Sequence, residues 1–269
     1  MYNSPARFAR TQERTGHAVE KKPILYIVVP CYNEEEALPL TEPVFLEKLT
    51  KLAPRTAPES RLVLVDDGSS DATWELIRAF HEKDARVSGL RLAKNRGHQN
   101  ALTSGLMWAK DRCDVTVSID ADLQDDIDAM DAMLDEYGRG CGIVCGVRAS
   151  RETDTFLKRT TARGYYSMMK LFGSDLIYDH ADYRLMDKKA LEALSYYHED
   201  DLFLRGLVNR LGAKVGVVTY DRRARKAGES KYTLKKMLKL ALKGMECGRC
   251  RPKSVPRGAD PWIAEVVHE

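Results

Sequence analysis

Four short stretches of the chain have the apolar character of buried strands: residues 23–30, 61–67, 87–92 and 114–120. In the last of them Val115, Val117 and Ile119 alternate with polar residues, the period-two signature of a strand. Between the strands the period lengthens to that of a helix. Leu38, Val44, Phe45 and Leu49 follow the first strand. Trp74, Ile77 and Phe80 follow the second, with Ser70 or Asp71 as the expected N-cap. Ala101, Leu102, Gly105, Leu106 and Ala109 mark one face of a helix over 97–110. Beyond the fourth strand the pattern predicts a helix holding Met130, Met133 and Leu134, a strand over 142–147 and a helix over 156–172. Three strand-to-helix units in succession predict an α/β fold: a Rossmann-like, mostly parallel sheet with helices on both faces.

Such sheets bind ligands at the carboxyl ends of their strands. Three polar clusters fall at those ends: Tyr32-Asn33-Glu34, Asp66-Asp67 and Asp120-Ala121-Asp122. Paired carboxylates are costly to bury unpaired and are suited to a hard cation, which could carry a diphosphate. No G-x-G-x-x-G or G-x-x-x-x-G-K-[ST] follows the first strand, which excludes a dinucleotide cradle and a P-loop. Phosphates would therefore be held by metal-bound carboxylates and by basic side chains from elsewhere in the chain.

Composition changes this picture in several places. The first 22 residues are polar and aperiodic, and a disordered lead without a signal peptide is expected there. No apolar run is long enough to span a bilayer. The six cysteines sit mostly in apolar surroundings and read as reduced thiols of a cytoplasmic protein. The net charge is only +3, but from Arg222 to Lys253 twelve Lys and Arg face two acids, Glu229 and Glu246. A basic end of this kind calls for a polyanionic partner. Nucleic acid is disfavoured because Tyr232 is the only aromatic residue interleaved there. Over 233–245, Leu234, Met237, Leu238, Ala241 and Met245 recur at helical spacing among Lys235, Lys236, Lys239 and Lys243. That pattern predicts a basic amphipathic helix at an anionic membrane surface. Residues 246–269 read as a polar tail. Its Cys247-x-x-Cys250 lacks the second pair of a zinc site.

The motifs Val-Val-Pro-Cys-Tyr-Asn-Glu-Glu (28–35), Val-Asp-Asp-Gly-Ser-Ser-Asp (65–71), Asn-Arg-Gly-His-Gln-Asn-Ala (95–101) and Asp-Ala-Asp-Leu-Gln-Asp (120–125) resemble the inverting family 2 glycosyltransferases of GT-A fold. Within that family the chain is similar to the polyprenyl-phosphate branch, the bactoprenol glucosyltransferases and dolichol-phosphate mannose synthases. The likeness extends through Gly146-Val-Arg148, Asp182-Tyr-Arg-Leu-Met-Asp187 and Ala227-Gly-Glu-Ser-Lys-Tyr232. It bounds a transferase domain of 23–232.

The resemblance implies a metal-dependent transfer of one sugar from a nucleotide donor, UDP-glucose foremost, to a polyprenyl phosphate. That would be a step in cell-envelope glycosylation at the cytoplasmic face of the membrane. Pro30, Tyr32, Glu34, Val65 and Asp67 would line the base and ribose. A carboxylate such as Asp67 accepts a ring N–H of uracil or of guanine, so the base stays open. Asp120 and Ala121 would meet the ribose side, and Asp122 with Gln124 would ligate Mg²⁺ or Mn²⁺. Arg225 and Lys231 would close over the donor phosphates. Arg148, Arg163 and Ser167 would hold the acceptor phosphate. Asp182, with Asp179 as alternate, would position the acceptor or sugar, and an ion pair to Arg184 is its structural alternative. A polysaccharide or teichoic acid acceptor, a binding module without catalysis, and an oligomer of this chain are further readings. After Gln124-Asp125 the expected proline pair is replaced by Asp126-Ile127. Where such enzymes usually continue into two transmembrane helices, this chain enters its polar tail.

Overall fold

The structure, a computed structural model, describes residues 21–149, 180–198, 202, 204–221, 250–258 and 260–268. Its centre is one eight-stranded sheet of order β7-β5-β6-β4-β1-β2-β3-β8. β1 (Leu25–Cys31), β2 (Arg61–Asp66), β3 (Val87–Leu92) and β4 (Val115–Ser118) are the four expected strands. β1 pairs in parallel with both β2 and β4, and β2 with β3. β5 (Ile143–Arg148) and β7 (Val215–Tyr220) form a second parallel pair. β6 (His180–Asp187) joins the two groups, antiparallel to β4 and β5.

Helices cover both faces. α1 (Leu38–Leu52), α2 (Thr73–Lys83) and α4 (Ala129–Gly138) bury Phe45, Trp74, Ile77, Met130 and Met133 against one face. α3 (His98–Ala109), α5 (Lys188–Leu194) and α6 (Leu204–Leu207) cover the other. α3 lies close to the sheet because Gly105 carries no side chain. A Cβ there would stand 2.7 Å from Val28 and from Val65. Helix packing continues at the edge, where the buried ammonium of Lys48 on α1 pairs with Asp128 and Asp131 at the start of α4.

Two expectations are corrected. The N-cap position of α2 is Ala72, not Ser70 or Asp71. Asp71 still serves the helix, because its Oδ1 accepts the Thr73 N–H at 3.1 Å. More consequential, the stretch read as a polar tail contains β8 (Ile263–Val267), which pairs antiparallel with β3 and completes the sheet. The physical reason lies on β3. Gly89 leaves a gap that Val267, Ile77 and Trp74 fill, while Trp74 Nε1 donates to Glu265 Oε2 at 3.0 Å.

Candidate active site

The parallel strands β1 to β5 all end at one edge of the sheet, and β6, running the other way, begins there. Every described site residue named from the sequence lies at or near this edge. The first two loops are locked to each other by the residues of their own motifs. Asn33 N–H donates to Ser69 Oγ, Glu34 N–H to Thr73 Oγ1 and Glu35 N–H to Asp71 Oδ2. In return Ser70 N–H donates to Asn33 Oδ1 and Ala72 N–H to Glu35 Oε2. Asn33, Glu35 and Asp71 are therefore structural. Tyr32 remains 38% exposed, and Glu34 is half-buried beside it. Pro30 and Val65 are neighbours in the β1–β2 register and both are buried, so they form the floor beneath the loops.

The two carboxylates ending the second motif divide their work. Asp66 is fully buried, accepts the Ser69 N–H at 2.9 Å and lies 3.5 Å from Arg91 Nε. Asp67, nearly as buried, accepts the Arg96 N–H at 2.7 Å and the Gly97 N–H at 2.8 Å, one on each oxygen. Burial pushes its pKa above the ordinary carboxylate value, while these two N–H groups pull the other way. Asp67 is thus the anchor of the β3–α3 loop. Gly68, at φ 65°, allows that loop to approach: a Cβ there would stand 2.5 Å from the Lys94 carbonyl carbon.

At the end of β4, Asp120 and Asp122 flank the buried Ala121. Gln124 N–H donates to Asp122 Oδ1 at 3.1 Å, across the left-handed Leu123 at φ 50°. No group of three His, Cys, Asp or Glu side chains is assembled for a metal among the described residues. The oxygen donors present, two carboxylates and an amide, suit an ion that takes its remaining ligands from water and phosphate, as Mg²⁺ and Mn²⁺ do.

Asp182, at the start of β6, meets Asp120 through a histidine. His98, the first residue of α3, places Nε2 3.6 Å from Asp120 Oδ1 and 3.6 Å from Asp182 Oδ2. Arg205 on α6 holds both Asp182 oxygens, Nε to Oδ1 at 3.1 Å and Nη2 to Oδ2 at 3.0 Å. Gln99 Nε2 adds a bond to Oδ2 at 3.1 Å. Burial alone would raise the Asp182 pKa, but Arg205 and His98 reverse the sign and hold it well below the ordinary value. Desolvation opposes the charge on His98, yet the close carboxylates of Asp182 and Asp120 raise its pKa to about 9. For Asp120 burial prevails over His98, and its pKa is raised. The expected alternative pairing with Arg184 is not formed. In a strand, residues two apart share a face, but Arg205 reaches Asp182 first with a two-point fork, and Arg184 turns into the core toward Cys145.

Arg148, expected at a phosphate, is engaged within the protein. Its Nε and Nη2 donate to Asp125 Oδ1 at 3.0 and 2.9 Å, and Tyr220 Oη donates to the same oxygen at 2.7 Å. Asp179, Arg163, Ser167, Arg225 and Lys231, and the basic segment 233–245, lie outside the described residues. Sequence reasoning missed Arg205, Gln99 and Asp125. The Asp125 carboxylate stands three residues after the D-x-D motif, a signal that was present. Arg205 stands on a single helical turn with no periodicity to mark it.

Comparison with known proteins gives the family and the fold. The profile described as "Glycosyl transferase family 2" matches residues 26–195. The chain is 50% identical over 228 residues to the uncharacterized glycosyltransferase YkoT of Bacillus subtilis, covering 84% of this chain and 68% of that protein. It is 34% identical over 220 residues to the prophage bactoprenol glucosyl transferase homolog of Escherichia coli, covering 81% and 70%. In fold it is similar to glucosyl-3-phosphoglycerate synthase from Mycobacterium tuberculosis, solved with Mn²⁺, UDP and glucosyl-3-phosphoglycerate. The TM-score is 0.57 at 19% identity, covering 86% of this chain and 82% of the other.

Proposed function

Because the chain belongs to glycosyl transferase family 2, we propose that it moves one hexose from a nucleotide sugar, UDP-glucose foremost, to a polyprenyl phosphate. The observation that carries the acceptor class is the state of Asp182. A hydroxyl acceptor needs a general base, and a carboxylate held far below its ordinary pKa by Arg205 and His98 takes up a proton poorly. A phosphate monoester needs none, since its second pKa near 6 leaves it largely dianionic at neutral pH. The names of the bactoprenol glucosyl transferase relatives point to the same acceptor. A polysaccharide or teichoic acid acceptor would require a base other than Asp182.

In this reading Tyr32, Glu34 and Asp67 bound the nucleotide, and Asp122 and Gln124 would hold Mg²⁺ or Mn²⁺ against the diphosphate. The bound ion would supply charge neutralisation for the departing diphosphate. The acceptor phosphate oxygen forms its bond to the anomeric carbon as the bond to the nucleotide diphosphate breaks, which inverts that carbon. Asp182, fixed at two points by Arg205, orients the hexose or acceptor without exchanging a proton.

The test is transfer by purified protein from UDP-glucose, UDP-GlcNAc or GDP-mannose to undecaprenyl phosphate and to the matching alcohol. Product on the phosphate alone is expected. Equal transfer to the alcohol would sink the acceptor argument. In the same assay Asp122→Ala is expected to abolish metal-supported donor binding by calorimetry, while Asp182→Asn retains donor binding and loses turnover. Equal donor loss in both variants would refute the division of roles.

A further inference from the structure

We infer that Trp262 is a positioning residue for the donor site, holding the β3–α3 loop through Arg96. The inference rests on the donor reading above. The segment that carries Trp262 is tied to the domain along its length. Arg257 N–H donates to Ser195 O at 2.7 Å, and Lys253 N–H to Tyr196 O at 2.7 Å. Ser104 Oγ on α3 donates to Asp260 Oδ2 at 2.6 Å, and Asp260 Oδ1 accepts the Trp262 N–H at 3.0 Å. From this base the Trp262 carbonyl accepts the Ala93 N–H at 2.9 Å, at the point where the loop leaves β3. The indole ring lies under two guanidiniums, 4.9 Å from that of Arg96 and 5.1 Å from that of Arg257.

Arg96 is the residue whose backbone N–H caps Asp67, and two residues later the chain reaches His98. The loop is therefore held at three places. Gly68 gives it room, Asp67 takes its N–H groups, and Trp262 holds both its first residue and the side chain of Arg96. Remove the ring, and the Arg96 guanidinium loses its partner while the backbone hydrogen bond from Ala93 can persist. The cap on Asp67 and the place of His98 then loosen without any loss of a ligand-contacting group.

The test compares Trp262→Ala, Trp262→Phe and, as a control on the exposed side of β8, Val266→Ala. Hydrogen exchange of the 93–98 backbone, without ligand, should rise about tenfold in the Ala variant and little in the other two. Donor affinity should fall about fivefold in the Ala variant, the scale of one cation–π contact, with kcat at saturating donor held within about twofold. Phe, which keeps an aromatic face, should restore most of the affinity. If Trp262→Ala does not fold, Trp262→Leu removes the π face with the bulk retained and carries the same expectations. Unchanged exchange at Arg96 and Gly97 overturns the inference, independently of what the site binds. A loosened loop with unaltered donor affinity also overturns it, and an Asp122→Ala variant that loses the donor in the same experiment shows that the donor reading stands. If Asp122→Ala binds donor normally, the donor reading falls and takes the inference with it.

Discussion

Asp182, His98 and Asp120 form a carboxylate–imidazole–carboxylate chain whose charge state depends on pH in a direction the structure sets. His98 has a folded pKa of about 9 against an ordinary 6.5, so its ion pairing contributes fully below about pH 6.5 and is lost as pH rises through 9. Asp182 runs the other way. Its pKa is lowered, so its contribution is present above the ordinary carboxylate range and is lost only as pH falls well below it. Thermal stability of the wild type minus that of His98→Gln should be greatest just below about pH 6.5 and should fade as pH rises from there to about 9. A difference that stays constant from pH 6 to 10 would mean that His98 is not charged in the fold. Arg148 calls for a second prediction at this scale. Its removal leaves Asp125, 2% exposed, with Tyr220 as the partner of its Oδ1. Breaking a buried pair in this way costs roughly 3 kcal/mol. Arg148→Ala should therefore lower stability to urea by about that amount, and Arg148→Ala/Asp125→Ala should recover part of it. A stable single variant with a raised requirement for acceptor would instead restore the phosphate role.

Elements with a strong internal period could be read from the chain, while those made by distant partners could not. β3 was expected over 87–92 and spans Val87–Leu92, and α1 to α4 stand where their apolar faces placed them. That the three acidic clusters meet at one edge of the sheet was legible because a parallel sheet leaves no other edge for them. β8 was not legible. Its five residues include an acid, and it becomes a strand only because β3, some 170 positions earlier, offers an open edge and a glycine. The Arg205–Asp182 fork was hidden for the same reason, since α6 is four residues long and shows no period. The β8 docking can be tested at Gly89, where a Cβ would stand 2.4 Å from Ile77 Cγ2 and 2.8 Å from Val267 Cγ2. Overpacking of this kind costs about 1–3 kcal/mol. Gly89→Ala should lower the urea midpoint accordingly, and Gly89→Ala combined with Val267→Ala should regain part of the loss. A neutral Gly89→Ala would show that β8 does not rest on this strand.

At the scale of the whole molecule the question is how a domain without a spanning helix among its described residues would meet the proposed lipid acceptor. The sequence answers with the pattern of the basic stretch 233–245, which lies outside the described residues. Four lysines at Lys235, Lys236, Lys239 and Lys243 alternate with an apolar stripe, a composition suited to the headgroup layer. Each lysine near an anionic surface contributes about 1 kcal/mol, screened beyond roughly 8 Å at physiological salt. Together they would supply roughly three orders of magnitude in partition, enough to concentrate the enzyme where a polyprenyl phosphate resides. Deleting residues 233–269 is a poor test, because it would also remove β8 and Trp262. Replacing the four lysines with glutamine leaves the sheet intact. Co-sedimentation with anionic vesicles should be strong at low salt, weak at high salt and largely lost in the glutamine variant, while nucleotide binding is unchanged. Binding that ignores lipid charge, or that survives the four substitutions, would place the membrane contact elsewhere on the chain.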